Sequence, residues 1–106
     1  MDPAGLPSLG LSELRAALAS PDPELRARAI RRVRPEPGVQ EALIEALLDV
    51  SAEVRLAAVR ALGRLQGPRA TRALIQVSAS DMSVSVRAEA VAALGRILEA
   101  RTRENS

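Results

Sequence analysis

The stretch Asp49–Leu65, DVSAEVRLAAVRALGRL, sets the architecture, because it returns further along as Asp81–Ile97, DMSVSVRAEAVAALGRI. Ten of the seventeen positions hold the same residue: Asp, Ser, Val, Arg, Ala, Val, Ala, Leu, Gly and Arg. A fainter copy, Ser20–Arg34 (SPDPELRARAIRRVR), precedes the middle one at a similar interval. Self-similarity at a period of ~20–50 residues marks a stacked array, in which each unit buries its apolar face against its neighbours. Within the middle copy, Val54, Ala58, Ala61, Leu62 and Leu65 form one stripe at helical spacing, and Leu56 with Val59 forms a second. A helix apolar on two sides is sandwiched. Glu53, Ala57, Arg60 and Arg64 are left for solvent.

Outward from these copies the chain reads as helices separated by turn signals. Residues 1–10, with Pro3, Pro7, Gly5 and Gly10, form a loose lead-in in which Leu6 and Leu9 can fold back over the first helix. That helix is expected over Leu11–Ala19, with Leu11, Leu14 and Leu18 on one stripe. Asp22 suits an N-cap and Pro23 the first helical position of a second helix, Glu24–Arg34, which Pro35 stops. After the Pro35–Gly38 break a third helix spans Val39–Asp49, with Leu43, Ile44, Leu47 and Leu48 apolar. Ser51 caps a fourth over Ala52–Leu65, Pro68 opens a fifth through Val77 or Ala79, and Ser83 caps a sixth from Val84 to about Arg101. The expected division is a lead-in (1–10), a repeat domain (11–101, with units at about 11–35, 38–66 and 68–101) and a frayed tail (102–106).

Composition excludes most chemistry. The 106 residues are 47% apolar yet contain no Phe, Trp or Tyr, so the core is Leu, Val, Ile and Ala, which suits close-packed helices. Without Cys or His there is no disulfide, thiol nucleophile, soft-metal site or imidazole base. No carboxylate cluster is spaced for an oxygen-ligand cation, and no nucleophile–base pair can be assembled. The expectation is a non-enzyme without cofactor or metal. All 15 basic residues are arginine, which reads as coding bias, and 13 acids leave a net charge of only +2. The pI near 10.9 follows from that small surplus with nothing to titrate near neutrality, and is weak support for an anionic partner. The N-terminus lacks a basic n-region, and no apolar run approaches the ~20 residues that span a bilayer, so a soluble cytoplasmic protein is expected.

The pattern D-x-[SD]-x-x-[VL]-R-x-x-A-[VI]-x-A-L-G-R-[LI] resembles the HEAT-like repeat, in the short bacterial variety also found in phycobilisome lyase-type proteins, over about residues 11–101. Armadillo or another α-solenoid is the alternative. The resemblance implies an all-α, right-handed solenoid of three helix–turn–helix repeats, six helices in all, used as a protein-interaction scaffold. It also implies a structural ladder running from unit to unit, formed by the Asp before each second helix and the Arg in that helix's first turn. Those positions are Asp49 with Arg55 and Asp81 with Arg87; the first unit has Arg26 but Ser20 in place of Asp, which leaves its ladder incomplete. Gly63 and Gly95 suggest close approach of a neighbouring helix, since helical glycine costs ~1 kcal/mol relative to alanine. The tetrapyrrole chemistry of some lyase-type relatives does not carry over, for want of a thiol, an imidazole or an aromatic pocket wall.

If the second helices line the concave side, their exposed stripe runs Glu24, Arg28, Arg31, then Glu53, Ala57, Arg60, Arg64, then Ser85, Glu89, Ala92, Arg96, with Arg32 beside Arg31. Acids lie toward the N-terminal ends and arginines toward the C-terminal ends, as helix dipoles favour, so a solvated face accounts for the pattern. Its functional reading makes Arg28, Arg31, Arg32, Arg60, Arg64 and Arg96 a partner-binding row for a protein. Nucleic acid is the alternative partner, opposed by the interleaved acids and the lack of stacking aromatics. A third reading is a structural subunit that assembles with itself. Ala88, Val91, Ile97 and Leu98 of the last helix have no further repeat to cover them, which suggests a homodimer or a docked partner at the C-terminal end.

Overall fold

Turn chemistry fixes where each helix starts. The computed structural model describes residues 7–105, and its helices are α1 (Leu11–Leu18), α2 (Pro23–Arg31), α3 (Val39–Ala46), α4 (Ala52–Leu65), α5 (Pro68–Ser80) and α6 (Val84–Glu104). Asp22 Oδ1 accepts the Glu24 N–H at 3.0 Å, and Ser83 Oγ accepts that of Val86 at 3.4 Å. Proline opens α2 and α5, where its missing N–H leaves no bond unmade. Ser51 contributes no side-chain cap; its own N–H is taken by Asp49 Oδ1 at 2.9 Å instead. Gly38 enters α3 at φ +91°, a left-handed conformation that favours glycine, with the Leu11 side chain filling the space a Cβ would need.

Two helices end sooner than their periodicity predicts. α2 stops at Arg31 because the backbone beyond it pairs with the lead-in. The Leu9 N–H donates to the Arg32 carbonyl at 2.7 Å and the Arg34 N–H to the Leu9 carbonyl at 2.8 Å, a parallel bridge between Leu9 and Val33. Leu9 packs on the core as expected; Leu6 lies outside the described residues. α3 stops at Ala46, where Leu47, Leu48 and Asp49 close successive tight turns onto Ile44, Glu45 and Ala46. The tightening swings Leu48 into solvent, away from the apolar face the sequence assigns it. α6, by contrast, runs on through Thr102 to Glu104 rather than fraying after Arg101.

The helices form two layers. α2, α4 and α6 lie side by side, α4 touching both of the others, while α1, α3 and α5 each cover one side of their own unit. Small residues let the inner layer close up: Ala27, Ala58, Ala90 and Ala93 are fully buried among Leu14, Ile30, Leu43, Leu62 and Leu74. Burying each of these larger side chains is worth about 1.5–3 kcal/mol. Ala57, expected in solvent, is buried where α2 lies along α4. Ile97 is likewise buried rather than open; it stands in the third copy of the repeat where Leu65 stands in the second.

The two helical glycines part company. A Cβ on Gly63 would sit 3.0 Å from the Cβ of Ala93, so close approach of α6 explains this glycine. A Cβ on Gly95 would meet nothing within 4 Å. The expected outcomes therefore have opposite signs. Gly63→Ala should destabilise by about 1 kcal/mol, because two backbones must part. Gly95→Ala should stabilise by about 0.5–1 kcal/mol through helix propensity alone. Urea unfolding of the pair checks this.

Candidate partner-binding site

The Asp and Arg of each repeat meet across the gap between units. Arg26 of the first unit donates Nε and Nη2 to the two carboxylate oxygens of Asp49 in the second, both at 2.9 Å. Arg55 of the second does the same to Asp81 of the third, at 2.9 and 3.2 Å. The remaining Nη1 of each arginine binds the turn carbonyl of its own unit: Ser20 for Arg26, Asp49 for Arg55, Asp81 for Arg87. The rungs are thus Arg26–Asp49 and Arg55–Asp81, not the within-unit pairs. At the first unit the Ser20 Oγ closes the turn by accepting the Asp22 N–H at 3.1 Å. The ladder is open at the other end. Arg87 keeps its bond to the Asp81 carbonyl, and no carboxylate among the described residues meets the rest of its fork.

These side chains are well shielded; in the second rung Arg55 is 9% exposed and Asp81 6%. Hydrogen bonds from Arg26, with help from the Ser51 N–H, hold the Asp49 carboxyl below the usual aspartate range against the effect of burial. For Asp81 burial is the largest influence and by itself would push upward. The bonds from Arg55 and the Ser83 N–H, with the positive charges of Arg55 and Arg87, together outweigh it, and the net shift is downward.

The arginine row is less open than its spacing suggests. Arg31 pairs with Glu53 at 3.2 Å, Arg60 with Glu89 at 3.3 Å, and Arg96 with the same Glu89 at 3.1 Å. Each pair but the last joins neighbouring units, so the face is a lattice of half-exposed ion pairs, individually worth little. Arg32 leaves the row, donating Nη2 to the Pro7 carbonyl at 2.9 Å. Arg28 and Arg64 make no ion pair among the described residues.

Two apolar surfaces complete the picture. Between α3 and α5 opens a cleft of about 520 Å³, lined by Ile44, Leu47, Ala73, Val77 and Met82 with the Arg55–Asp81 rung as one wall. Sequence periodicity missed it; the signal available was Met82, an apolar residue directly after the ladder Asp81 and about nine-tenths exposed. The second surface is the outer stripe of α6, where Val84, Val91 and Leu98 recur at heptad spacing and all stand open, as expected for Val91 and Leu98. Among the described residues, no group of three Asp or Glu side chains could hold a metal ion, and no helix is long and apolar enough to cross a membrane.

Paired helices stacked in two layers and tied by a recurring Arg–Asp rung define an α-solenoid. The sequence profile described as HEAT repeats matches residues 11–95, and the chain belongs to that family. A search of curated proteins finds no significant match.

Two measurements test the ladder. Asp81→Ala should cost about 3 kcal/mol in chemical unfolding, because it leaves a shielded guanidinium without its counterion, whereas Ser20→Asp should change stability by less than about 0.5 kcal/mol. Both rung carboxyls titrate lower in the folded than in the unfolded chain, so their contribution is present above the unfolded value and is lost as pH falls through the folded one. Stability should therefore hold from neutrality to about pH 5 and decline below about pH 4. The combined Asp49→Asn and Asp81→Asn variant should show a flatter acid limb.

Proposed function

We propose that the protein is a non-enzymatic docking module that binds a protein partner. HEAT repeats are commonly protein-interaction scaffolds, and the family supplies that starting point. The single observation that carries the reading is the distribution of exposed apolar side chains. Val84, Val91 and Leu98 lie together on one helix, and Leu48 and Met82 flank one cleft, where solvated single residues would be scattered. A phosphate-tracking role is supported less well. Glu53 and Glu89 already take Arg31, Arg60 and Arg96, and a phosphate would have to displace a carboxylate at each. The face formed by α2, α4 and α6, with Arg28 and Arg64 in no ion pair among the described residues, then contributes a mixed-charge rim to the same partner.

A photo-crosslinking residue placed in the full-length chain at Arg60, at Leu98 or at Ala16, and irradiated in its native cell, tests the reading. Ala16 is exposed on α1, a helix that belongs neither to the α6 stripe nor to the lining of the cleft. The expected result is one predominant protein adduct from Arg60 or Leu98 and none from Ala16. Micromolar retention of a generic DNA and RNA pool at low salt, abolished by Arg28→Glu with Arg64→Glu and unaccompanied by any protein adduct, would overturn it in favour of nucleic acid.

A further inference from the structure

The outer face of the third unit repeats, position for position, the face by which the second unit holds the third. Three correspondences between the two aligned copies show this. Arg55 meets the carboxylate of the following unit, whereas its counterpart Arg87 holds the Asp81 carbonyl and, among the described residues, finds no partner for Nε and Nη2. Val59 is 0% exposed, whereas its counterpart Val91 is 59% exposed. A Cβ added to Gly63 would stand 3.0 Å from the Ala93 Cβ, whereas one added to Gly95 would meet nothing within 4 Å. One helix thus carries a vacant ion-pair seat, an uncovered valine and an unfilled close-approach glycine. Val84 and Leu98 extend the same stripe, which has the spacing of a helix that packs along another helix.

Resting on the docking reading above, we infer that this face receives a helix–turn–helix unit of another protein, one that presents an Asp in the turn before its second helix. The carboxylate would take the free edge of the Arg87 fork as Asp81 takes that of Arg55, and the partner's helix would lie against Val91 and Gly95. A second copy of this chain fits poorly in either orientation. Face to face it would bring two unpaired Arg87 guanidinia to one surface. Head to tail it offers Ser20 where a carboxylate is required. It would also bring Arg28 and Arg32 to the positions that Glu89 and the buried Ala93 occupy at the junction of the second and third units. Charge complementarity therefore selects a different chain with an acidic turn.

The experiment maps the peptide crosslinked from a p-benzoylphenylalanine at Leu98 of the full-length protein, beside a second probe at Arg60, and then titrates the partner so identified. The inference predicts a peptide from a helical hairpin with an Asp just before its second helix. Arg87→Gln should weaken that partner's binding by roughly thirtyfold or more, the effect of removing one member of a shielded hydrogen-bonded charge pair. Gly95→Leu should also lose the partner while the thermal melt stays unchanged or rises, since its side chain enters open space in the free protein; this variant separates docking from folding. Adducts to a second copy of the chain, or to a peptide with no acidic turn, would overturn the inference. Adducts from Arg60 alone would overturn it while leaving the protein-partner reading intact, and no adduct from either probe would overturn both.

Discussion

One planar guanidinium, tied to its own turn on one side and to the next unit's carboxylate on the other, sets the spacing of this solenoid. Arg26 and Arg55 each use three donors in a fixed plane, so they constrain rotation between units as well as distance. A lysine ammonium, a single flexible point charge, could supply the attraction but not the plane. Apolar contact is non-directional, so burial of this aromatic-free core does not by itself fix how one unit turns against the next. Shielded ion pairs contribute little net stability once desolvation is counted, and their best-attested use is to select register. Here that role falls at both junctions between units.

Legibility follows the range of the interaction. Helix identity and repeat count were readable because each rests on local patterning: a helical period, an N-cap, a proline. The residues of the ladder came with the resemblance to HEAT-like repeats, and which carboxylate each arginine takes was not readable. Asp49 and Arg55 are close neighbours in the chain and invite a local pair, yet the fold brings the Arg55 fork to the far more distant Asp81. Only stacking makes the distant carboxylate the nearer one. The premature end of α2 has the same origin, since nothing in RRVR announces that Leu9 will take its backbone bonds.

The candidate surfaces show the limit more sharply. Reading Arg28, Arg31, Arg32, Arg60, Arg64 and Arg96 as a row assumed that exposure on one face means availability. Glu53 and Glu89 stand in neighbouring units at the height of those arginines and take three of them, while Arg32 turns to the lead-in. The cleft between α3 and α5 was invisible for a different reason. It is bounded by two helices that touch only sparsely and by turn residues such as Met82, and no one-dimensional period describes a gap.

In a quasi-one-dimensional array each unit satisfies its neighbours, so unsatisfied chemistry accumulates at the ends. The two ends of this structure handle that differently. At the first unit Leu9 closes a bridge onto Val33, Arg34 donates to the Ser8 carbonyl at 2.9 Å, and Glu36 accepts the Leu11 N–H at 2.6 Å, so the backbone edge is covered by the chain itself. At the third, α6 presents Val91, Gly95 and Arg87 with no such cover among the described residues. Burial of Val91 alone would favour any apolar partner. The Arg87 fork narrows the choice, because a partner that covers it without a carboxylate must strip water from a charge and offer nothing in return, a penalty of several kcal/mol. The same group that fixes register inside the solenoid therefore acts as a filter at its edge, excluding partners by desolvation more than it attracts them by charge.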